Sequence, residues 1–234
     1  MKRLLALLLF LSLSVSVSYF SWAETSNTGA SPVVVAEKDA SENTTDPPNP
    51  TNPANLNPVQ KWKPSIDQSH INFTGIYQGK LFSGHFTDFD ADIIFDPEQL
   101  DKSSILVVIE TGSIKLDDDI LGSSVTGANW LNVRNFPQAI FKSTRIDFAY
   151  KGEDGLDQYS AYGKFSLGGV EKDFILPFVV KFVRANAYAY GEFPLKRMDF
   201  GIGASVDPNG SMVSSDILVK FDVSATKFEP VKKP

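Results

Sequence analysis

From Lys61 onward, apolar and polar residues alternate with a period of two. Ile71 and Phe73 alternate with Asn72 and Thr74, and Tyr159, Ala161, Gly163, Phe165 and Leu167 alternate with Ser160, Tyr162, Lys164 and Ser166. The same parity runs through Phe174, Leu176, Phe178, Val180 and Phe182, through Ala187, Ala189, Gly191, Phe193 and Leu195, and through Ile217, Val219, Phe221 and Val223. Alternation of this kind predicts strands with one apolar face turned inward and one polar face turned outward. Turn chemistry punctuates them at Asp96-Pro97, Lys151-Gly152-Glu153-Asp154-Gly155, Gly168-Gly169 and Asp207-Pro208-Asn209-Gly210. About eight strands with hairpin-length links predict an all-β fold, an antiparallel barrel or sandwich. Helical spacing is nowhere sustained for long, although Leu121 to Val133, which holds Trp130 and Leu131, has room for a short helix or two turns.

The inward parity carries few charges and most of the phenylalanines, all but two of which (Phe10 and Phe20, of 18) follow Lys61. A barrel of about eight strands has an interior just large enough to be filled or to hold one slender ligand. Small residues (Ala161, Gly163, Ala187, Ala189, Gly191) interleave with the large ones. That pattern suits a hollow lumen, and equally a filled interior that tapers. The outward positions Ile175, Val179 and Val183 are apolar too, which suggests that part of the core lies outside the barrel.

The chain ahead of this pattern is of two kinds. Residues 1–23 read as a secretory signal peptide: Lys2 and Arg3, the apolar run Leu4 to Val17, and the small-x-small pattern Ser21-Trp22-Ala23. The run is shorter than the roughly 18 to 20 residues that span a bilayer, so no transmembrane segment is expected after cleavage. Residues 24–60 hold six of the 14 prolines, many Asn, Ser and Thr, and no aromatic residue. This stretch is expected to be a disordered, extended linker, because it cannot bury enough apolar area to offset chain entropy. The folded domain is expected over residues 61–234. Export without any cysteine suits a bacterial periplasm.

Composition removes most enzyme chemistries. A net charge of -6 gives no positive field for nucleic acid, which is not expected as a partner. With no cysteine and two histidines, thiolate chemistry, Fe–S clusters and multi-histidine zinc sites are closed; no catalytic residue, metal or cofactor is assigned. Asp67, Ser69 and His70 invite a nucleophile–base reading, but neighbours on a strand point to opposite faces. Asp88, Asp90 and Asp92 resemble the start of a calcium loop, yet Ile93 stands where glycine is needed and Gln99 where glutamate is needed. Asp117, Asp118 and Asp119 read as an exposed acidic loop. Gly201-Ile202-Gly203 lacks the rest of a dinucleotide fingerprint.

Several strings occur together in order. They are Trp62, Ile66-Asp67 and Ser69-His70-Ile71-Asn72-Phe73; Gly84-His85-Phe86; Ile94-Phe95-Asp96-Pro97; and Trp130-Leu131-Asn132-Val133. Phe136-Pro137-Gln138-Ala139-Ile140-Phe141-Lys142-Ser143, the run from Gly163 to Lys172, and Arg197-Met198-Asp199-Phe200-Gly201-Ile202 complete the set. The set resembles the YceI-like family of exported lipid- or polyisoprenoid-binding proteins. The resemblance implies an antiparallel eight-stranded, lipocalin-like barrel with a short helical insertion and an elongated apolar lumen holding an isoprenoid chain. Two features depart from the family pattern: Asp118-Asp119-Ile120-Leu121 with Ser123-Ser124-Val125-Thr126 replaces an Arg-Asp and His-Leu pair, and the linker is unusually long.

With a hollow lumen, the lining assigned from the inward parity falls on several strands. It comprises Ile71, Phe73, Phe86, Ile93 and Phe95; Val107, Ile109 and Phe141; Phe165 and Leu167; Phe174, Leu176, Phe178 and Val180; and Phe200, Phe221 and Val223. Lys172 and Arg197 are the candidates for a head group at the mouth. Each buried methylene contributes about 0.8 kcal/mol, and ordering costs reduce this to roughly 0.3 kcal/mol per heavy atom. A tail of some tens of carbons is then held by on the order of ten kcal/mol without a charged anchor. The expected function is a non-catalytic periplasmic carrier of a long-chain amphiphile: a polyisoprenoid, an isoprenoid quinone or a fatty-acid derivative. The alternative is a filled barrel that recognises another exported protein. Homodimerisation is left open.

Overall fold

The computed structural model describes residues 59–228, so the expected signal peptide and nearly all of the expected linker lie outside the described residues. Eleven strands and one helix succeed one another: β1 (Lys61–Pro64), β2 (His70–Tyr77), β3 (Lys80–Phe86), β4 (Phe89–Ile94), β5 (Ser104–Glu110), β6 (Ile114–Leu116), α1 (Asp119–Val125), β7 (Gln138–Lys151), β8 (Asp157–Leu167), β9 (Val170–Val183), β10 (Asn186–Lys196) and β11 (Asp216–Lys227). All pairings are antiparallel. The ring β1-β4-β5-β7-β8-β9-β10-β11 closes on itself through Trp62↔Lys227, so the sheet is a barrel with no free long edge there.

Eleven segments make eight staves because three staves are broken midway. β1 and β2 both lie on β11; β3 and β4 follow one another along the next stave, as do β5 and β6 along the third. Each break has its backbone groups satisfied from across the chain. Between β1 and β2, Ser69 Oγ donates to Ser65 O (2.7 Å) and accepts from Ser224 N (3.1 Å), stitching the short turn Ile66–Gln68 to β11. Between β3 and β4, Ser113 O accepts from Thr87 N and Ser113 Oγ accepts from Asp88 N. Between β5 and β6, the buried Thr111 Oγ1 lies 2.8 Å from both Phe136 O and Pro137 O, fixing the chain that enters β7.

The paired rows put the expected parity inside. Val107↔Phe141↔Phe165, Ala161↔Leu176 and Tyr159↔Phe178 are cross-strand partners, and partners share a face. The outward apolar residues do not build a second core, contrary to expectation: Ile175 is 53% and Val183 41% exposed, and only Val179 is buried. The helical insertion is shorter than the Leu121–Val133 window, because α1 ends at Val125 and turns continue to Asn135. One further interruption lies in the wall. The β9–β10 register runs from Asn186↔Val183 to Tyr190↔Val179 and stops there. Beyond it Pro177 and Pro194 carry no N–H, and contacts across include the approach of the Pro177 carbonyl to Gly191 and the ring pair Phe174–Phe193, with centroids 5.0 Å apart.

Two buried clusters divide the interior. One gathers Trp62, Phe95, Phe141, Ile146, Tyr159 and Phe178 with Ala161, Ala187 and Ala225. The other gathers Leu131, Ala139, Leu167, Phe200 and Ile202, where the 126–137 and 197–215 connections meet.

Candidate functional site

The barrel is hollow. A cavity of about 440 Å³ runs from Trp62, Phe178, Ala187 and Ala225 at one end to Tyr77, Phe82, Leu116, Leu121 and Met212 at the other. That volume is of the size that takes one small amphiphile.

The first end is a blind floor of aromatic rings. Phe95 stands edge-on to Tyr159 (5.1 Å) and Phe178 (5.6 Å), Tyr159 stacks on Phe178 (5.5 Å), and Trp62 lies against Phe182 (5.4 Å). Trp62 is locked by its indole N–H, which donates to Phe95 O at 2.8 Å. Burial raises the Tyr159 hydroxyl above its ordinary range, with the Asp157 charge adding to it. At the other end the rim is made by the β2–β3 hairpin tip, α1 and the 197–215 loop, where Met212 is partly exposed.

Sixteen of the 17 side chains assigned to the lining from sequence face this cavity: Ile71, Phe73, Phe86, Ile93, Phe95, Val107, Ile109, Phe141, Phe165, Leu167, Phe174, Leu176, Phe178, Val180, Phe221 and Val223. Phe200 does not. It sits in the turn Arg197–Phe200 beyond the end of β10, where period two no longer applies, and packs edge-on against Phe165 from the second cluster (5.4 Å). Lys172 is exposed and does not line the cavity, although it stands on the inward row of β9 as the cross-strand partner of Phe165.

Arg197 does reach the cavity, but not as an open anchor. It is 3% exposed, and all five of its N–H hydrogens are committed: Nε to Ser214 O (3.0 Å), Nη1 to Ile202 O (2.7 Å) and Met198 Sδ (3.0 Å), Nη2 to Asp207 Oδ2 (2.7 Å) and Val213 O (2.7 Å). The Asp207-Pro208-Asn209-Gly210 turn, closed by Gly210 N to Asp207 O with Gly210 at φ +65°, presents the acid. Asp207 Oδ2 also accepts from Val213 N (2.9 Å), and Oδ1 accepts from Ser211 N, Ser211 Oγ and Met212 N. The backbone N–H of Val213, followed by those of Met212 and Ser211, holds this carboxyl down to about 2 against the opposing effect of burial.

Sequence reasoning left out Leu121, Trp130 and Met212, which sit on a helix and loops without period two. It also left out Tyr77, Phe82, Phe182, Phe193, Leu195, Ile217 and Val219, whose inward parity was a readable signal. The nucleophile–base reading finds no support. His70 Nδ1 meets the exposed Asp222 (2.8 Å), while Ser69 is buried and bonded to backbone. Asp92 pairs with Lys61.

A closed antiparallel β-barrel around a one-ended apolar lumen is the class of protein these features define. The chain belongs to the YceI-like family: the model of the YceI-like domain matches residues 62–225. It is similar to the crystal structure of BcnA from Burkholderia cenocepacia, at 26% identity and a TM-score of 0.65, over 70% of this chain and 100% of that one. A UPF0312 protein of Yersinia pestis is 34% identical over 107 residues, 46% of this chain and 50% of that protein, so the match spans half the relative's length. A domain from Saccharophagus degradans, described as polyisoprenoid binding and implicated in plant cell wall breakdown, shares the fold at 14% identity and a TM-score of 0.55, over 73% of this chain and 99% of that one.

Proposed function

We propose that the protein is a non-catalytic carrier that holds the long chain of an amphiphile, a polyisoprenoid, an isoprenoid quinone or a fatty-acid derivative, inside the barrel, and that it works in a bacterial periplasm after export by residues 1–23. The observation that carries this reading is the lumen itself: apolar along its length, closed by rings at the Trp62 end and rimmed by loops at the other. Water gains little from such a surface, and a hydrocarbon chain gains about 25 cal/mol per Å² buried. The polyisoprenoid-binding description of the Saccharophagus degradans domain supports the same ligand class. A filled barrel that acts only through its outer loops is disfavoured by the cavity.

The test is chemical. Protein purified from its native host without detergent is extracted with organic solvent, and the extract is examined by mass spectrometry. Release of one long-chain lipid per barrel is expected. An empty extract, together with failure of the apo protein to take up a fluorescent isoprenoid, would overturn the reading.

A further inference from the structure

We propose that the closed end of the barrel, on the side built by β9, β10, β11 and β1, docks on an anionic phospholipid surface. Lys63, Lys181, Arg184 and Lys227 meet the phosphates, and Val183, Tyr188 and Phe228 enter the headgroup layer. This surface lies outside the wall and needs no ligand in the lumen.

The strand registers gather the four cations. On the outward row Val183 faces Asn186, Asn186 faces Thr226, and Thr226 faces Lys63; one rung up, Lys181 faces Tyr188. Lys227 N donates to Ala185 O (2.9 Å), which sets Lys227 against the hairpin turn. Four strands at about 4.8 Å spacing make the patch about 14 Å wide. The turn puts a cation at its tip at a conformational cost. β9 and β10 are joined by Arg184 and Ala185 alone, and Arg184 stands at φ +57°, a conformation that tight hairpins usually give to Asn or Gly.

These charges are not neutralised locally. All four side chains are exposed, and among the described residues none of them is in an ion pair, in a chain whose net charge is -6. Asp92, beside β1, is held by Lys61 (2.8 Å), and Asp222 by His70 (2.8 Å), which leaves Asp67 as the exposed acid next to the patch. Further carboxylates of this end, such as Asp96 and Glu98 or Glu153 and Asp154, belong to the β4–β5 and β7–β8 connections on other staves. Four cations against one acid make a local positive field that an anionic surface meets.

Exposed apolar groups distinguish a lipid surface from a soluble polyanion. Val183, Tyr188 and Phe228 are each more than 40% exposed among these cations, and Lys61 Nζ lies 6.0 Å from the centroid of the Phe228 ring. Cations that meet phosphate, beside rings and aliphatic groups that leave water, suit the boundary of a bilayer. The chain also enters the barrel here, with Phe95 N donating to Gln60 O (2.9 Å), and past Phe228 the sequence adds Lys232 and Lys233 against Glu229. Docked on this side, the barrel keeps the open rim, at the far end of the cavity, away from the surface.

Binding is read by co-sedimentation of the purified protein with vesicles of phosphatidylcholine alone and of phosphatidylcholine mixed equally with phosphatidylglycerol. At low ionic strength the protein should bind the mixed vesicles at least about tenfold more tightly. It should be released at about 1 M salt, where charges are screened beyond about 3 Å. Each cation near such a surface is worth about fivefold, so Lys181→Gln combined with Arg184→Asn should weaken binding by about 20- to 30-fold. The thermal midpoint of that variant should be no lower than wild type, because Asn suits the left-handed turn. Phe228→Ser should weaken binding several-fold, and Lys80→Gln with Lys115→Gln, at the open end, should leave it unchanged. No preference for the anionic vesicles, or full binding by the double variant at the closed end, would overturn the proposal. So would retention on heparin without vesicle binding, which would make the patch a site for a soluble polyanion. Uptake of a fluorescent isoprenoid is read separately, so none of these results decides the carrier reading.

Discussion

Arg197 and Asp207 form the one ion pair with both partners buried among the described residues, Nη2 to Oδ2 at 2.7 Å, and together they tie β10, the 201–207 turns and the approach to β11 into one body beside the lumen. Removing one member leaves the other without compensation. Arg197→Met should therefore destabilise the barrel by about 3–5 kcal/mol, read as a lower midpoint in urea denaturation. A change within experimental error would show that the pair is dispensable.

The pH dependence of that unit has a definite sign. Asp207 is held at about 2 in the folded protein, below its ordinary 3.8. The folded state thus binds the proton less readily than the unfolded one, and the stabilisation is complete above about pH 4 and lost as pH falls through about 2. Melting temperatures of wild type and Asp207→Asn should differ most above pH 4 and converge toward pH 2. A constant gap down to pH 2 would place the acid sensitivity elsewhere.

The face assignment is open to a paired test. Phe178 is 5% exposed on the lumen floor, and Ser166 lies on the outward parity of β8. Phe178→Asp should abolish uptake of a fluorescent isoprenoid, while Ser166→Asp should leave it unchanged. Because a buried aspartate can also unfold the barrel, Phe178→Ala is the companion: about 3–5 kcal/mol less stable, still folded by circular dichroism, and able to accept a longer chain because the floor is lowered. Equal uptake by the two aspartate variants would refute the assignment.

Gly163 sets how closely β7 and β8 approach beside the irregular register at Ser143/Arg145. A Cβ placed there would come within 2.2 Å of Lys142 O and 2.8 Å of Ser143 Cα, both backbone. Gly163→Ala should cost about 1–3 kcal/mol through overpacking, visible as a lower thermal midpoint. An unchanged midpoint would mean the bulge absorbs the methyl.

Much of the barrel was legible because strands β8 to β11 each carry a sustained apolar parity, opposed by a mainly polar one except at Ile175, Val179 and Val183 of β9; Phe165, Phe174, Phe178 and Phe221 could be placed inside from their neighbours alone. The broken staves were not, since the kinks at Ile66–Gln68, Thr87–Asp88 and Thr111–Ser113 depend on Ser69, Ser113 and Thr111 meeting backbone far along the chain. Hollow against filled was beyond the pattern for a related reason. Gly84 and Gly191 lie under the rings of Phe73 and Phe221, so small residues here accommodate large neighbours even though a cavity remains. At Arg197, the candidate for a head group at the mouth, sequence shows the charge but not the five acceptors around it.

The two prolines that end the β9–β10 ladder leave a seam in an otherwise stitched cylinder. Parting the wall there separates Phe174 from Phe193, and Gly191 from the Pro177 carbonyl it abuts, but breaks no register pair, so it yields more readily than the junctions that are paired along their length. Amide hydrogens of 191–196 that are directed toward β9 should accordingly exchange with deuterium well before those directed toward β11, which makes this the place where the cylinder yields without unfolding.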